Sequence, residues 1–143
     1  MRYLLDTNVI SELVAARPNK DVLDWLDSVD PDDVLISVIT IGEIRKGIEK
    51  QPASTRKERL QKWLHEDLLA RFADHILSLD VEAMLLWGEM MGRLEKSWTP
   101  LPAVDSMVSA LALLHRCTLV TRNTGHFQNT GVTLLNPWLS GAT

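Results

Sequence analysis

The chain has 143 residues, of which 45% are hydrophobic and 24% are charged, and its formal net charge is −4. A chain of this length can bury a substantial core, so we expect a single domain over residues 1–143. The negative charge argues against a protein that coats nucleic acid through bulk positive charge, although a local grip on a short piece of RNA stays open.

No apolar run approaches the ~20 residues that a membrane span needs. The N-terminus enters a strand pattern at once and lacks the apolar stretch and cleavage site of a signal peptide. The single cysteine, Cys117, excludes an intramolecular disulfide and lies in an apolar setting, which predicts a buried thiol. We therefore expect a cytoplasmic protein that does not associate with a membrane.

The first part of the chain alternates predicted strands with predicted helices. Apolar and β-branched runs predict strands at residues 2–5 and 34–39. Apolar residues at helical spacing predict helices at residues 7–16, 21–29 and 40–50, and Asp30-Pro31-Asp32-Asp33 predicts a turn before the second strand.

The remainder of the chain continues this alternation. The patterns predict a long helix at 54–73, a strand at 75–79, helices at 81–97 and 103–116, and strands at 118–121 and 132–135. Such an order predicts an α/β fold with three layers, in which a mostly parallel central sheet has helices on both faces. Trp25, Trp63 and Trp87 fall on apolar helix faces, so we expect them in the core or in dimer contacts.

Three acidic residues lie where an α/β chain places its chemistry. Asp6 follows the first strand, Glu43 opens the helix after the second strand, and Asp105 lies in the first turn of the helix begun by Pro102. In open parallel sheets, ligands gather beyond the carboxyl ends of the strands. Three carboxylates at ~4 Å separations repel by roughly 4 kcal/mol per pair, so such a pocket must take up protons or hold a cation. Oxygen-only ligands favour Mg²⁺ or Mn²⁺.

Each acid also has a structural explanation when it is taken alone. Asp6 is a favoured N-cap for the helix beginning near Thr7. Thr40-Ile41-Gly42-Glu43 matches a capping box, in which Glu43 bonds back to the amide of Thr40. Asp105 complements a helix dipole in a first turn. The case for a functional site is therefore a joint one.

Five short segments combine these acids with small polar neighbours in a fixed order along the chain. They are residues 4–10, 37–44, 102–110, 119–127 and 134–138. This ordered set resembles the PIN-domain ribonucleases, and within them the VapC- and FitB-type toxins of bacterial toxin–antitoxin pairs. The resemblance runs nearly end to end, from Tyr3 to Trp138.

The resemblance implies a parallel sheet, a Mg²⁺ or Mn²⁺ site and endonucleolytic cleavage of RNA. It also implies a homodimer that is neutralised by a cognate antitoxin of the VapB or FitA kind, whose C-terminal part lies near the acidic pocket. Asp6, Glu43 and Asp105 match the first three acids of the family as catalytic and metal-binding residues. Thr7 and Asn8 match the supporting polar residues beside the first acid.

The clearest departure from the family concerns its fourth acid, which is variable in position. It matches Asn123 or, three residues later, His126, and neither is acidic here. This puts a second metal in doubt. We rank Asn123 above His126 as a member of the site, while His126 and Arg122 are candidates for phosphate contact.

A basic run extends from Arg45 to Lys62, with seven basic residues against Glu49 and Glu58. This run is either a solvated helix face or a rim that contacts phosphate. Charge alone does not distinguish these two interpretations.

We expect metal-assisted hydrolysis of phosphodiester bonds. Asp6 is the central ligand, Asp105 coordinates the metal or anchors its water, and Glu43 holds or orients the attacking water.

A second hypothesis, motivated by the missing fourth acid, is a catalytically weak module that binds antitoxin or RNA. A third, a Mg²⁺ phosphatase or receiver-like domain, is disfavoured by the single early acid and by Arg122 where a lysine is needed. The sequence does not name the RNA that is cut.

Overall fold

The computed structural model describes residues 1–139. Its centre is a five-stranded sheet of order β3-β2-β1-β4-β5, in which every neighbouring pair is parallel. The strands are β1 (Tyr3–Leu5), β2 (Val34–Ser37), β3 (Ile76–Leu77), β4 (Thr118–Val120) and β5 (Leu134–Leu135). The predicted α/β fold with a parallel sheet is confirmed.

Seven α-helices connect these strands. They are α1 (Thr7–Glu12), α2 (Lys20–Ser28), α3 (Val38–Glu49), α4 (Thr55–Lys62), α5 (Leu69–Arg71), α6 (Val81–Lys96) and α7 (Ala103–Leu114). A π-helical segment, Trp63–Leu68, joins α4 to α5, and short 3₁₀ turns lie at Pro31–Asp33 and Thr124–Phe127.

The central strands are buried on both faces, and their successive side chains enter different cores. Leu4, Leu35 and Leu119 belong to the core beneath α6 and α7. Leu5, Ile36 and Val120, each one residue further on, belong to the core shared with α1, α2, α3 and the π segment. Because side chains alternate along a strand, this pattern gives a sheet with helices on both faces.

The boundary between β2 and α3 differs from the prediction. The second strand ends at Ser37 and not at residue 39, because the Ser37 hydroxyl accepts a hydrogen bond from the Thr40 amide at 3.2 Å and caps a helix that begins at Val38. The β-branched residues Val38 and Ile39 favoured a strand in the sequence pattern. Glu43 consequently lies in the second turn of α3 and does not open it.

Two further helices also differ from the prediction. Helix α1 ends at Glu12, four residues before the predicted end at residue 16. The long helix predicted at 54–73 is interrupted by the π segment, within which Leu64 and Leu68 are buried. Such segments add a residue to one helical turn and often lie at functional sites.

The burial of the predicted helix tryptophans and of the cysteine follows the sequence. Trp25 and Trp63 pack against the first core, and Trp87 donates a hydrogen bond to the Ser106 hydroxyl at 2.7 Å. Cys117 is a buried free thiol, and burial raises its pKa. Among the helices of residues 1–139, none has both the length and the apolar character that a membrane crossing requires.

Candidate active site

Asp6 lies just beyond the carboxyl end of the central strand β1, and its side chain is almost fully buried, with 7% exposed. Its backbone amide donates to the Val120 carbonyl at 2.9 Å, which continues the pairing of β1 with β4. One carboxylate oxygen accepts from the Thr7 amide at 2.9 Å, so Asp6 is the N-cap of α1, as its capping interpretation predicted. The other oxygen accepts from the Thr121 hydroxyl at 2.8 Å, a contact that a cap alone does not need.

Thr121 is the hydrogen-bond centre of this edge of the sheet. Its hydroxyl is fully buried, donates to Asp6, and accepts from the Asn8 side-chain amide at 3.2 Å and from the Asn123 backbone amide at 3.1 Å. One donor and two acceptors are all that a hydroxyl offers, so its capacity is used in full. Asn8 also accepts from the Arg122 amide at 3.3 Å, which ties α1 to the loop after β4.

The pKa of Asp6 lies above its ordinary value, and burial of the carboxyl is the main cause. The hydrogen bonds from Thr121 and Thr7 act in the opposite direction, while the negative charges of Asp105 and Glu43 raise the pKa further. Both other acids are therefore near enough to Asp6 for their charges to disfavour its ionised form. A cation bound here relieves that repulsion.

Glu43 faces this group through a polar contact with α1. The Thr7 hydroxyl donates to a Glu43 carboxylate oxygen at 2.5 Å and lies 3.0 Å from the Thr40 hydroxyl. The predicted capping box is wrong, because the Thr40 amide donates to Ser37 and the Glu43 side chain points to Thr7 instead. Thr7 thus holds Glu43 on the same side as the first acid.

Asp105 enters from the first turn of α7, behind the N-cap Pro102. Its carboxylate lies 3.6 Å from the Nδ1 atom of His126, whose side chain is 60% exposed. His126 thus contacts the third acid from the outer side of the site. It does not line the cavity that the acids share.

The three acids line one open cavity of about 380 Å³ at the carboxyl edge of the sheet. Arg122 and Asn123 also line it, and the Arg122 guanidinium lies 5.4 Å from the centre of the Trp138 ring. The complete lining is Asp6, Thr7, Asn8, Ser11, Glu12, Glu43, Asp105, Arg122, Asn123 and Trp138. The fold therefore brings together every predicted site residue except His126, which reaches the site only through Asp105.

Ser11 and Glu12 are lining residues that the sequence interpretation missed. Glu12 accepts a hydrogen bond from the Asn19 amide at 2.6 Å and so fixes the loop after α1. The signal for both was present in the spacing, because residues four apart on a helix share a face. Ser11 follows Thr7 by four residues, and Glu12 follows Asn8 by four.

The donor set suits a hard divalent cation that keeps most of its water. Apart from the Arg122 guanidinium and the Trp138 ring, the groups that line the cavity are carboxylates, hydroxyls and side-chain amides, and the carboxylates are the strongest donors. Within residues 1–139, no three acidic, histidine or cysteine side chains lie close enough to enclose an ion by themselves. Mg²⁺ needs few direct protein ligands because it retains several waters, so the residues present fit a lightly liganded ion.

A parallel sheet with three acids at its carboxyl edge defines the class of protein. The family model of the PIN domain matches residues 3–132, and the chain belongs to this family. The resemblance seen in the sequence is thereby confirmed.

Three curated relatives match the chain over nearly its whole length. The plasmid stability protein StbB of Pseudomonas syringae pv. tomato and the toxin FitB of Neisseria gonorrhoeae are each 36% identical over 135 residues, covering 94% of this chain and 97% of theirs. The VapC ribonuclease Y4jK of Sinorhizobium fredii is 33% identical over 135 residues, covering 94% of this chain and 96% of its own.

Solved structures share the same fold. The crystal structure of FitAcB from Neisseria gonorrhoeae superposes with a TM-score of 0.91 at 35% identity, covering 96% of this chain and 99% of that one. A toxin–antitoxin complex from Klebsiella pneumoniae has a TM-score of 0.69 at 25% identity, covering 94% and 97% of the two chains.

Proposed function

We propose that this protein is a metal-dependent endoribonuclease toxin that cleaves RNA phosphodiester bonds and is neutralised by a cognate antitoxin. The observation that carries the proposal is the shared cavity of Asp6, Glu43 and Asp105, next to the central strand. Relatives named as a VapC ribonuclease and as a toxin support the same activity.

A bound Mg²⁺ or Mn²⁺ would lower the pKa of a water and offset the charge that develops on the phosphate oxygens. Asp6 would be the central ligand of this ion, because it is buried at the end of the central strand and oriented by Thr7 and Thr121. Asp105 would hold the ion or one of its waters from α7. Glu43, held by the Thr7 hydroxyl, would orient the attacking water and accept its proton.

Asn8 and Asn123 support this arrangement through the Thr121 hydroxyl, to which both donate. Asn123 also offers a neutral oxygen where the family has an acid. Arg122 lines the cavity and His126 contacts Asp105 beside it, which supports the proposal that both contact a phosphate of the substrate. With neither Asn123 nor His126 acidic, we propose one metal ion and not two.

We further propose that the protein acts in the cytoplasm as a homodimer whose partner is an antitoxin of the VapB or FitA kind. The antitoxin partner is supported by relatives, since a solved toxin–antitoxin complex shares the fold. The C-terminal part of the antitoxin then lies close to the acidic cavity and blocks access of RNA.

Asp6→Asn tests the catalytic assignment. The substitution keeps the shape of the side chain but removes the charge that a cation needs, so we expect cleavage of total RNA to fall by at least about a hundredfold, or ~2.7 kcal/mol in activation free energy. The assay uses protein freed of antitoxin, with Mg²⁺ or Mn²⁺ against a chelator. In thermal unfolding, either metal should raise the Tm of the wild type and leave that of Asp6→Asn unchanged.

A second candidate function is favoured by the absence of an acid at residues 123 and 126. A catalytically weak module would bind antitoxin or RNA without cutting. Wild-type protein that produces no metal-dependent fragments, while still gaining stability from the metal, would favour this module. If the wild type does cut RNA, an Asp6→Asn protein that cuts at the same rate would refute the catalytic role of Asp6.

A further inference from the structure

A second cavity of about 230 Å³ adjoins the acidic one. We name it the Trp63 pocket, after the tryptophan at the start of the π segment that lines it. Thr7, Ser11 and Glu43 line both cavities, so the two are continuous across the first turn of α1. A ligand with one group beside the acids can therefore place its next group in the Trp63 pocket.

The floor of the Trp63 pocket is apolar. Ile44 and Ile48 of α3, which are buried, line it together with Leu60 of α4 and Trp63. Gly47 also lines the pocket, and a Cβ atom at this position would meet nothing within 4 Å. The space next to Gly47 is therefore empty. A planar ring system suits such a space, and bases of single-stranded RNA stack on aromatic side chains in this way.

The rim of the Trp63 pocket carries polar groups that are not engaged elsewhere. Gln51 and Arg56 line it, and within residues 1–139 neither side chain makes a hydrogen bond or an ion pair. Glutamine pairs best with the adenine edge and arginine with the guanine edge, where each meets the ring atom N7 and the exocyclic group beside it at once. Both pairings select purines over pyrimidines.

The charges around the Trp63 pocket suit the backbone of a nucleic acid. Lys46, Lys50 and Arg59 are exposed and, like Arg56, make no ion pair within the described residues. They follow the same two helices, α3 and α4, that form the pocket. The carboxylates of the adjoining acidic cavity repel phosphate. The phosphates that flank the bound base are therefore attracted to the exposed cations of α3 and α4.

From these contacts we propose that the Trp63 pocket binds the purine base of the nucleotide beside the scissile phosphate in single-stranded RNA. The inference rests on the proposed ribonuclease function and adds to it the base that the enzyme selects. Trp63 stacks on the base, Gln51 and Arg56 read its edge, and Glu43 stands between this base and the bond that is cut.

Gly47→Leu tests the proposal by filling the Trp63 pocket. Leucine favours a helix more than glycine does, and no neighbour stands in its way, so folding should be retained. Gly92→Leu is the matched control, because Gly92 is also an exposed mid-helix glycine with no neighbour within 4 Å, but lies on α6 outside both cavities. Melting curves of the two variants establish that both fold.

The measurement is binding of short fluorescent homopolymer RNAs in chelator, which prevents cleavage. We expect the wild type and Gly92→Leu to bind oligoadenylate or oligoguanylate about tenfold more tightly than oligouridylate and oligocytidylate. Gly47→Leu should lose this preference. In metal, mapped cut sites of the wild type should lie beside purines, and those of Gly47→Leu should lose that bias.

Equal binding of all four homopolymers by the wild type overturns the proposal, as does a purine preference that survives in Gly47→Leu. It is also overturned if Gly47→Leu keeps its RNA preference but no longer binds the cognate antitoxin, because the pocket then docks protein. A wild type that never cuts RNA, yet shows a purine preference lost in Gly47→Leu, defeats the ribonuclease function and leaves the pocket standing.

Discussion

At the scale of single residues, the hydroxyl of Thr121 holds the acidic site together. Thr121 holds the first acid, the side-chain amide of Asn8 and the backbone of Asn123 with one oxygen atom. Its removal leaves the buried Oδ2 atom of Asp6 with only a long contact of 3.5 Å from the Asn8 side-chain amide. Such an unsatisfied group costs about 1–3 kcal/mol, and more when it is charged.

Thr121→Val keeps the shape of the side chain and removes the hydroxyl. We expect the Tm to fall by roughly 3–10 °C and RNA cleavage to fall by about tenfold or more, because Asp6 loses its orientation. Thr118→Val is the control, since Thr118 is buried at the start of β4, three residues before Thr121, and its hydroxyl makes no hydrogen bond within residues 1–139. Equal losses of Tm and of RNA cleavage in the two variants would mean that the Thr121 hydroxyl does not orient Asp6.

The sequence predicted the acids of the site better than their surroundings. Asp6 and Asp105 could be placed because each lies next to a clear strand end or helix start. The contact between Asp6 and Thr121 spans 115 positions, and no local pattern encodes it. Glu43 was given a local partner, Thr40, whereas its real partner is Thr7 on another helix, a contact that exists only after α1 and α3 pack together.

At the scale of elements, the junction between β2 and α3 determines where Glu43 lies. Buried strands were predictable from apolar runs, but the end of β2 was not, because Val38 and Ile39 suit strands and buried helix starts equally well. The π segment was also unpredictable, since its extra residue per turn leaves the apolar spacing of Leu60, Leu64 and Leu68 intact. Ser37 marked the junction as a favoured N-cap.

Ser37→Ala removes the cap of α3. Loss of a serine cap costs about 1 kcal/mol, so we expect the Tm to fall by roughly 3–4 °C. Cleavage should fall as well, because the first turns of α3 carry Glu43. The matched control is Asp80→Ala, which removes the cap of α6, where the Asp80 carboxylate accepts from the Ala83 amide at 2.9 Å. It should lower the Tm similarly and leave cleavage by folded protein unchanged; a similar loss of cleavage in both variants would contradict the assignment.

At the scale of the whole molecule, a net charge of −4 argues against attraction of RNA by bulk charge, so the proposed function needs a local basic region. Part of the basic run is neutralised, since Arg45 pairs with Glu49 at 2.8 Å and Lys62 with Glu66 at 3.9 Å. Lys46, Lys50, Arg56 and Arg59 are the exposed cations that remain on α3, α4 and the turn between them. This favours the reading of the run as a phosphate-contacting rim.

Binding of single-stranded RNA in chelator should weaken with salt, with a slope of about −3 in log K against log salt concentration if these four cations each contact a phosphate. Replacement of Lys46, Lys50 and Arg59 by glutamine should reduce the slope by about 2, since each contact contributes ~0.7. The control replaces Arg2, Arg71 and Arg116, exposed cations that lie toward the amino ends of the strands. A slope that changes equally in both triple variants would show that bulk charge, and not this rim, attracts RNA.

The strand order of the sheet has a consequence for folding during synthesis. Strand β1 leaves the ribosome before the other four strands, yet it lies between β2 and β4, and β4 is made only after β2 and β3. Until residues 118–121 emerge, Asp6 has neither its neighbouring strand nor the threonine that fixes it, and Asp105 has no folded edge to join. A nascent chain that stops short of β4 therefore lacks an assembled acidic cavity, and the site forms only once β4 has been made.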